Sequence, residues 1–222
     1  MKVGIVSDTH GNLSGLLDLV DYLLNEVKAD KIFHLGDNYS DIDELFSLKR
    51  SLIKGSTDYS DHDFLSDVTS FMKAKDPDAK LDPASLINED EITKLKRIIV
   101  RVPEDGNSLL KAGEIAKTAL EMIGDRIATL VHNVKTLKKE DIEGSDIVLY
   151  GGTHKHQVDN LGGRWFINPG HFMEEDNEGK HPTFGVLETT SQGLTLTIYS
   201  TDRTKVLSRT LTFGPRTKMT VK

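Results

Sequence analysis

Apolar positions in the first sixty residues follow two alternating rhythms. Lys2–Val6 and Lys31–Leu35 are short apolar runs of strand type, while Leu13–Val27 between them sets Leu16, Leu17, Val20, Leu23, Leu24 and Val27 along one helical side. Asp41–Leu48 reads as a short helix and Ser51–Lys54 as a third strand. Strands separated by amphipathic stretches of this length predict crossover connections, and therefore parallel pairing in an α/β layer fold.

The rhythm changes over residues 61–124, where polar, helix-favouring residues dominate and Ile115, Ala119, Leu120 and Ile123 recur at helical spacing. We read this span as an inserted helical cap within a single domain of residues 1–222. Asp76-Pro77 and Asp82-Pro83 punctuate it, because the residue before a proline is pushed out of the helical region, and Pro103 is expected to end a helix carrying Ile92, Leu95 and Ile99. Strand patterning resumes at Arg126–Val131 and Asp146–Tyr150. Beyond it the chain reads as an antiparallel meander: Gln157–Leu161, Arg164–Asn168, Thr183–Glu188, Gly193–Ser200 and Val206–Thr212. Gly162-Gly163 marks a hairpin, since both residues can take positive φ without steric cost.

Composition narrows the chemistry. With no cysteine, thiolate ligation is excluded, so any metal must be held by His, Asp, Glu, Asn and water. The net charge of −7 opposes long nucleic acids and anionic lipid as main partners. No apolar run is long enough to cross a bilayer, and the chain enters its first strand without the regions of a signal peptide, which predicts a cytoplasmic protein.

The candidate chemical residues lie just past the carboxyl ends of the predicted strands, where open α/β sheets place their sites. Asp8 and His10 follow the first strand, with spacing that lets both side chains point to one side. Asp37 and Asn38 follow the second, after Gly36, which permits the tight turn. Ser56 and Asp58 follow the expected third strand, His132 the fourth, and Gly151-Gly152-Thr153-His154-Lys155-His156 the fifth. A hard divalent ion needs several O and N ligands from distant segments, and this arrangement brings them to one edge. Taken alone, Asp8 could equally cap the following helix. His34, inside an apolar strand, reads as a core residue, whereas His62 and His181 read as surface side chains.

The ordered series Asp-x-His, Gly-Asp, Gly-Ser-x-Asp, His and Gly-Gly-x-His-x-His, followed by Asn168-Pro169-Gly170, resembles the small metallophosphoesterases of the calcineurin-like superfamily. The resemblance runs over Met1 to about Asp58 and from about Arg126 onward. It implies a four-layer α-β-β-α sandwich carrying the inserted helical cap. By position, Asp8, His10, Asp37 and His154 match the ligands of a first metal, with Asp37 as the bridging carboxylate. The second metal of the family retains only Asp37 and His132, because Ser56 stands at an asparagine position and Gly152 at a histidine position. Thr57 replaces a histidine that assists the leaving group in larger relatives. His156 and His171 lie near the altered motif as candidates for a substitute ligand or a phosphate contact, as do Asn38 and Ser56.

The resemblance implies one or two divalent ions per chain, drawn from Mn, Fe, Ni, Zn or Mg. It also implies hydrolysis of a small phosphodiester or phosphomonoester by metal-bound hydroxide, with Asp37 and His132 at the reacting centre. A small phosphorylated substrate, a nucleotide among the candidates, is the expected partner, and a homo-oligomer is left open. Two alternatives stand beside this expectation: a binding scaffold of the same fold, and a nucleotide-binding protein with residual phosphodiesterase activity.

Overall fold

The computed structural model describes residues 1–38, 40–54, 89–113, 116–173, 181–191 and 193–214. In chain order the elements are β1 (Lys2–Val6), α1 (Leu13–Tyr22), a π-helical turn (Leu23–Val27), β2 (Lys31–His34), α2 (Asp41–Lys54), α3 (Glu89–Ile98) and β3 (Ile99–Arg101). Then follow α4 (Ser108–Ala112), β4 (Ala119–Ile123), β5 (Arg126–Val131), a 3₁₀ turn (Val134–Thr136), α5 (Lys139–Glu143) and β6 (Ile147–Tyr150). The last are β7 (His156–Leu161), β8 (Arg164–Pro169), β9 (Thr183–Thr190), β10 (Gly193–Ser200) and β11 (Lys205–Leu211). They form a compact unit of Met1–Asp41 with Ile98–Lys222, and a second unit, Ile42–Arg97.

In the larger unit, one sheet runs β11-β10-β9-β1-β2-β3 and the other β4-β5-β6-β8-β7. Their apolar faces meet in one core: Val3, Ile5, Phe33, Leu187 and Leu196 from the first sheet, with Ala128, Leu130, Leu149, Trp165 and Ile167 from the second. Each fully buried Val, Leu, Ile or Phe among them contributes about 1.5–3 kcal/mol of transfer free energy. The outer face of the first sheet is covered by the buried stripe Leu16, Leu19, Val20 and Leu23 of α1 and its π-helical continuation. Gly4 of β1 leaves the room that Leu23 fills. The outer face of the second sheet, Val131, Val148, Tyr150 and Phe166, is packed by Val134, Leu137 and Ile142. Helix, sheet, sheet and helix form the expected four layers.

β1, β2 and β3 are parallel, as are β5, β6 and β8. Val6 pairs with His34 in one sheet and Val131 with Tyr150 in the other, so in each sheet the two strands end level. That register sets the loops after β1, β2, β5 and β6 on a common edge. Gly162 and Gly163 turn the β7–β8 hairpin at φ 61° and 81°, as their sequence predicts.

Three expectations are corrected. Residues 51–54 are helical, not a strand: they continue α2, whose buried side chains Ile42, Leu45 and Phe46 lie in its first two turns. The third parallel strand is Ile99–Arg101 instead, so Ile99 leaves the helix assigned to it. The β-branched run Ile98-Ile99-Val100 favours extension once α3 has ended. Ala119–Ile123 is likewise a strand and not helical: Ala119 and Ile123 face the core, Glu121 pairs with Lys31, and Leu120 and Met122 point out. Gly124-Asp125 closes it on β5 as a two-residue hairpin, overriding a spacing that fits either period. Both strands fall inside residues 61–124, and residues 61–88, 114 and 115 of that span lie outside the described residues. The smaller unit is described through α2 and α3, where the Lys96 ammonium lies 5.7 Å over the Phe46 ring.

Candidate metal centre

Asp8, His10, Asp37 and His154 each offer one ligand atom, and these atoms lie within 4.8 Å of one another. His10 Nε2 is 3.2 Å from His154 Nε2 and 3.1 Å from Asp37 Oδ2, and His154 Nε2 is 3.4 Å from Asp8 Oδ1. Two imidazole nitrogens and two carboxylate oxygens facing a common point are a mixed N/O donor set suited to several divalent first-row ions. Among the described residues this is the group with that geometry.

The backbone beneath the cluster is strained. All four residues, and Asn38 beside them, have left-handed φ: 54° at Asp8, 47° at His10, 57° at Asp37, 60° at Asn38 and 56° at His154. Asp, Asn and His tolerate this region better than most residues, yet each instance costs about 1–3 kcal/mol. Such strain persists only where surrounding bonds over-determine it, and here they do. The Asp8 amide donates to Gly36 O at 3.0 Å, Phe172 N–H donates to Asp8 O at 3.1 Å, and Gly152 N–H donates to the Asp8 carboxylate at 3.0 Å across the two sheets. Asp8 is fully buried and caps no helix; Asn12 caps α1 by accepting from Gly15 N–H.

His132 does not join the group of four. Its Nδ1–H donates to Leu35 O at 2.9 Å, which leaves the lone pair on Nε2. Gly152 opposes that nitrogen: a Cβ there would sit 3.1 Å from His132 Nε2. His132, Asp37 and Gly152 line a cleft of about 340 Å³ together with Glu104, Asp105, Asn133, Lys135 and Thr153. His171 is buried, its ring centre 5.7 Å from that of His154, whereas His156 is exposed at the start of the edge strand β7. Asn38 is half-buried beside Gly11. Ser56, Thr57, Asp58, His62 and Glu174-Glu175-Asp176 lie outside the described residues. His181 is exposed, as expected of a surface side chain.

His34 is a core residue, as its place in an apolar strand predicts. Burial, aided by the Arg101 and His132 charges, lowers its pKa from 6.5 to about 3 and keeps the ring neutral. The sequence reading gave no site role to three other residues here. Thr9, between Asp8 and His10, is fully buried; Asp41, at the head of α2, is buried and accepts from the Thr9 hydroxyl; Asn168 donates to Gly151 O and to Thr153 Oγ1. The available signal was position: each of the three lies inside or next to a ligand motif.

A sequence model of the Calcineurin-like phosphoesterase superfamily domain matches residues 1–192, and the chain belongs to that superfamily. Its fold is similar to that of YfcE, a phosphoesterase from E. coli, at 14% identity and TM-score 0.55, covering 96% of this chain and 100% of that one. It is similar to a single-mutant Vps29 from Entamoeba histolytica at 18% identity and TM-score 0.54, covering 90% and 92%. A novel archaeal phosphodiesterase aligns at 17% identity and TM-score 0.51, covering 89% and 99%. No curated protein matches the sequence. Among the described residues no helix is long and apolar enough to cross a membrane.

Proposed function

We propose that the protein is a metal-dependent phosphoesterase that hydrolyses a small phosphodiester or phosphomonoester, with Asp8, His10, Asp37 and His154 as ligands of one divalent ion. The observation that carries this reading is the meeting of four ligand atoms within 4.8 Å on strained backbone. An ion held there supplies Lewis acidity, polarising a phosphoryl oxygen and lowering the pKa of water from about 15.7 towards 7. The remaining work falls to the chain. Gly152 N–H fixes the Asp8 carboxylate, and Leu35 O fixes the His132 ring so that Nε2 can accept a proton or hydrogen bond in the cleft. Lys135 offers that cleft a positive charge for a phosphate.

With Gly152 and Ser56 at two positions of the second metal site, we assign the activity to one fully ligated ion and a weaker second position. Esters with good leaving groups are then the favoured substrates. Mn²⁺ is the proposed activator and the cytoplasm the proposed setting.

The test compares metal-reconstituted protein with Asp37→Asn on aryl phosphates. A loss of about 100-fold or more is expected, since even groups that only orient ligands are worth 10–100-fold. Equal rates would end the enzymatic reading. A second reading, a protein-binding module of the same fold, is favoured by the outward face of edge strand β4, where Leu120 is 68% and Met122 50% exposed. Metal content separates the two: about one ion or more per chain supports the enzyme, and none supports the binding module.

A further inference from the structure

Thr9 stands between two of the proposed ligands, and its buried hydroxyl is a three-way junction. It donates to Asp41 Oδ2 at 2.5 Å, receives His34 Nε2–H at 3.1 Å and lies 3.4 Å from Asp37 O. The same Asp41 oxygen accepts Gly11 N–H at 3.0 Å, so one buried carboxylate grips the residues on both sides of His10. Asp41 N–H in turn donates to Asn38 O at 2.9 Å, and Gly36 N–H lies 3.4 Å from His34 Nδ1. The tautomer follows from this order: Nδ1 accepts, Nε2–H donates to Thr9, and the Thr9 proton points at Asp41. The bonds tie the loop after β1 to the loop after β2 at the points where His10, Asp37 and Asn38 take left-handed φ.

Buried polar groups cost free energy unless satisfied, and a satisfied network in a low-dielectric interior fixes one conformation. We propose that Thr9, His34 and Asp41 are positioning residues that hold His10 and Asp37 in ligand geometry before a metal arrives. Their task is to offset the strain of the left-handed turns. They touch neither substrate nor ion and act through the backbone on either side of each ligand. The inference rests on the metal-centre reading above and adds which residues prepare it.

Thr9→Val removes the hydroxyl and keeps the shape; Thr9→Ser keeps the hydroxyl; Asp41→Asn keeps the shape and removes the charge. The probe is Co²⁺ added to the full-length apo protein, followed by its visible absorption and by calorimetry, with thermal melting as the check on folding. Thr9→Val and Asp41→Asn are expected to bind Co²⁺ about 10–100-fold more weakly, the range for groups that orient ligands, and Thr9→Ser to stay within about threefold of wild type. Folded Thr9→Val and Asp41→Asn with wild-type affinity and spectrum overturn the proposal and leave the metal centre standing. A wild-type protein that binds no Co²⁺ overturns both. Should Asp41→Asn fail to fold, the Thr9→Val and Thr9→Ser pair decides the question alone.

Discussion

The two sides of the strand edge are built differently. On one side Asp8, His10, Asp37 and His154 converge on backbone held at positive φ, over the buried bonds of Thr9, His34 and Asp41. On the other, His132 faces Gly152 across a cleft of about 340 Å³ whose lining includes glycines, an exposed aspartate and a lysine. The first side carries strain and the bonds that hold it, the pattern expected where a ligand is bound in a fixed geometry. The second has one oriented ring and open space. The difference teaches that a binding position is read more safely from the support beneath it than from the residue types that line it.

That contrast can be broken from either side. Asp8→Asn removes one of four converging donors while keeping the bond from Gly152 N–H within reach, and metal affinity measured by calorimetry is expected to fall about 100-fold or more. A variant that binds as tightly as wild type would make the cluster incidental.

The buried support can be probed by pH. The His34 imidazole titrates near 6.5 when unfolded and near 3 when folded, so the unfolded chain takes up its proton first as pH falls. Its share of stability is complete above 6.5 and is lost between 6.5 and 3, by about 1.4 kcal/mol per pH unit within that window. Denaturant unfolding of wild type and His34→Gln should show the steeper acid loss in wild type. Identical slopes would mean the histidine is not held neutral by its surroundings.

The smallest effect is expected on the open side. Gly152→His with Ser56→Asn should add a second equivalent of metal and raise turnover severalfold. It should also cost about 1–3 kcal/mol of stability, because residue 152 sits at φ 73° against the His132 ring. One equivalent and unchanged turnover would show that the glycine leaves no vacancy worth filling.

Much of the architecture was legible because it rests on local patterns. The short apolar runs of β1, β2, β5 and β8 and the helical stripe of α1 each point to one element. The turn glycines 162 and 163 fixed a hairpin, and motif order carried the ligand candidates. The failures came where a short segment suits two periods. Ala119, Leu120 and Ile123 satisfy both a helical stripe and an edge strand, and the choice was made by distant partners: Arg126–Val131 for pairing and Lys31 for Glu121. Ile99 was claimed by the helix before it, although parallel pairing with Ile32 drew it into a sheet. At the site, residue order pointed to the four side chains that meet but not to Thr9 and Asp41, which are joined by a bond between segments 32 residues apart that no local spacing encodes.

A crystal soaked with Zn²⁺ tests the central claim most directly. The account predicts one well-occupied ion about 2.0–2.2 Å from Nε2 of both His10 and His154 and from carboxylate oxygens of Asp8 and Asp37. An empty cluster at saturating Zn²⁺, or an ion held elsewhere while these four side chains stay apart from it, would contradict it.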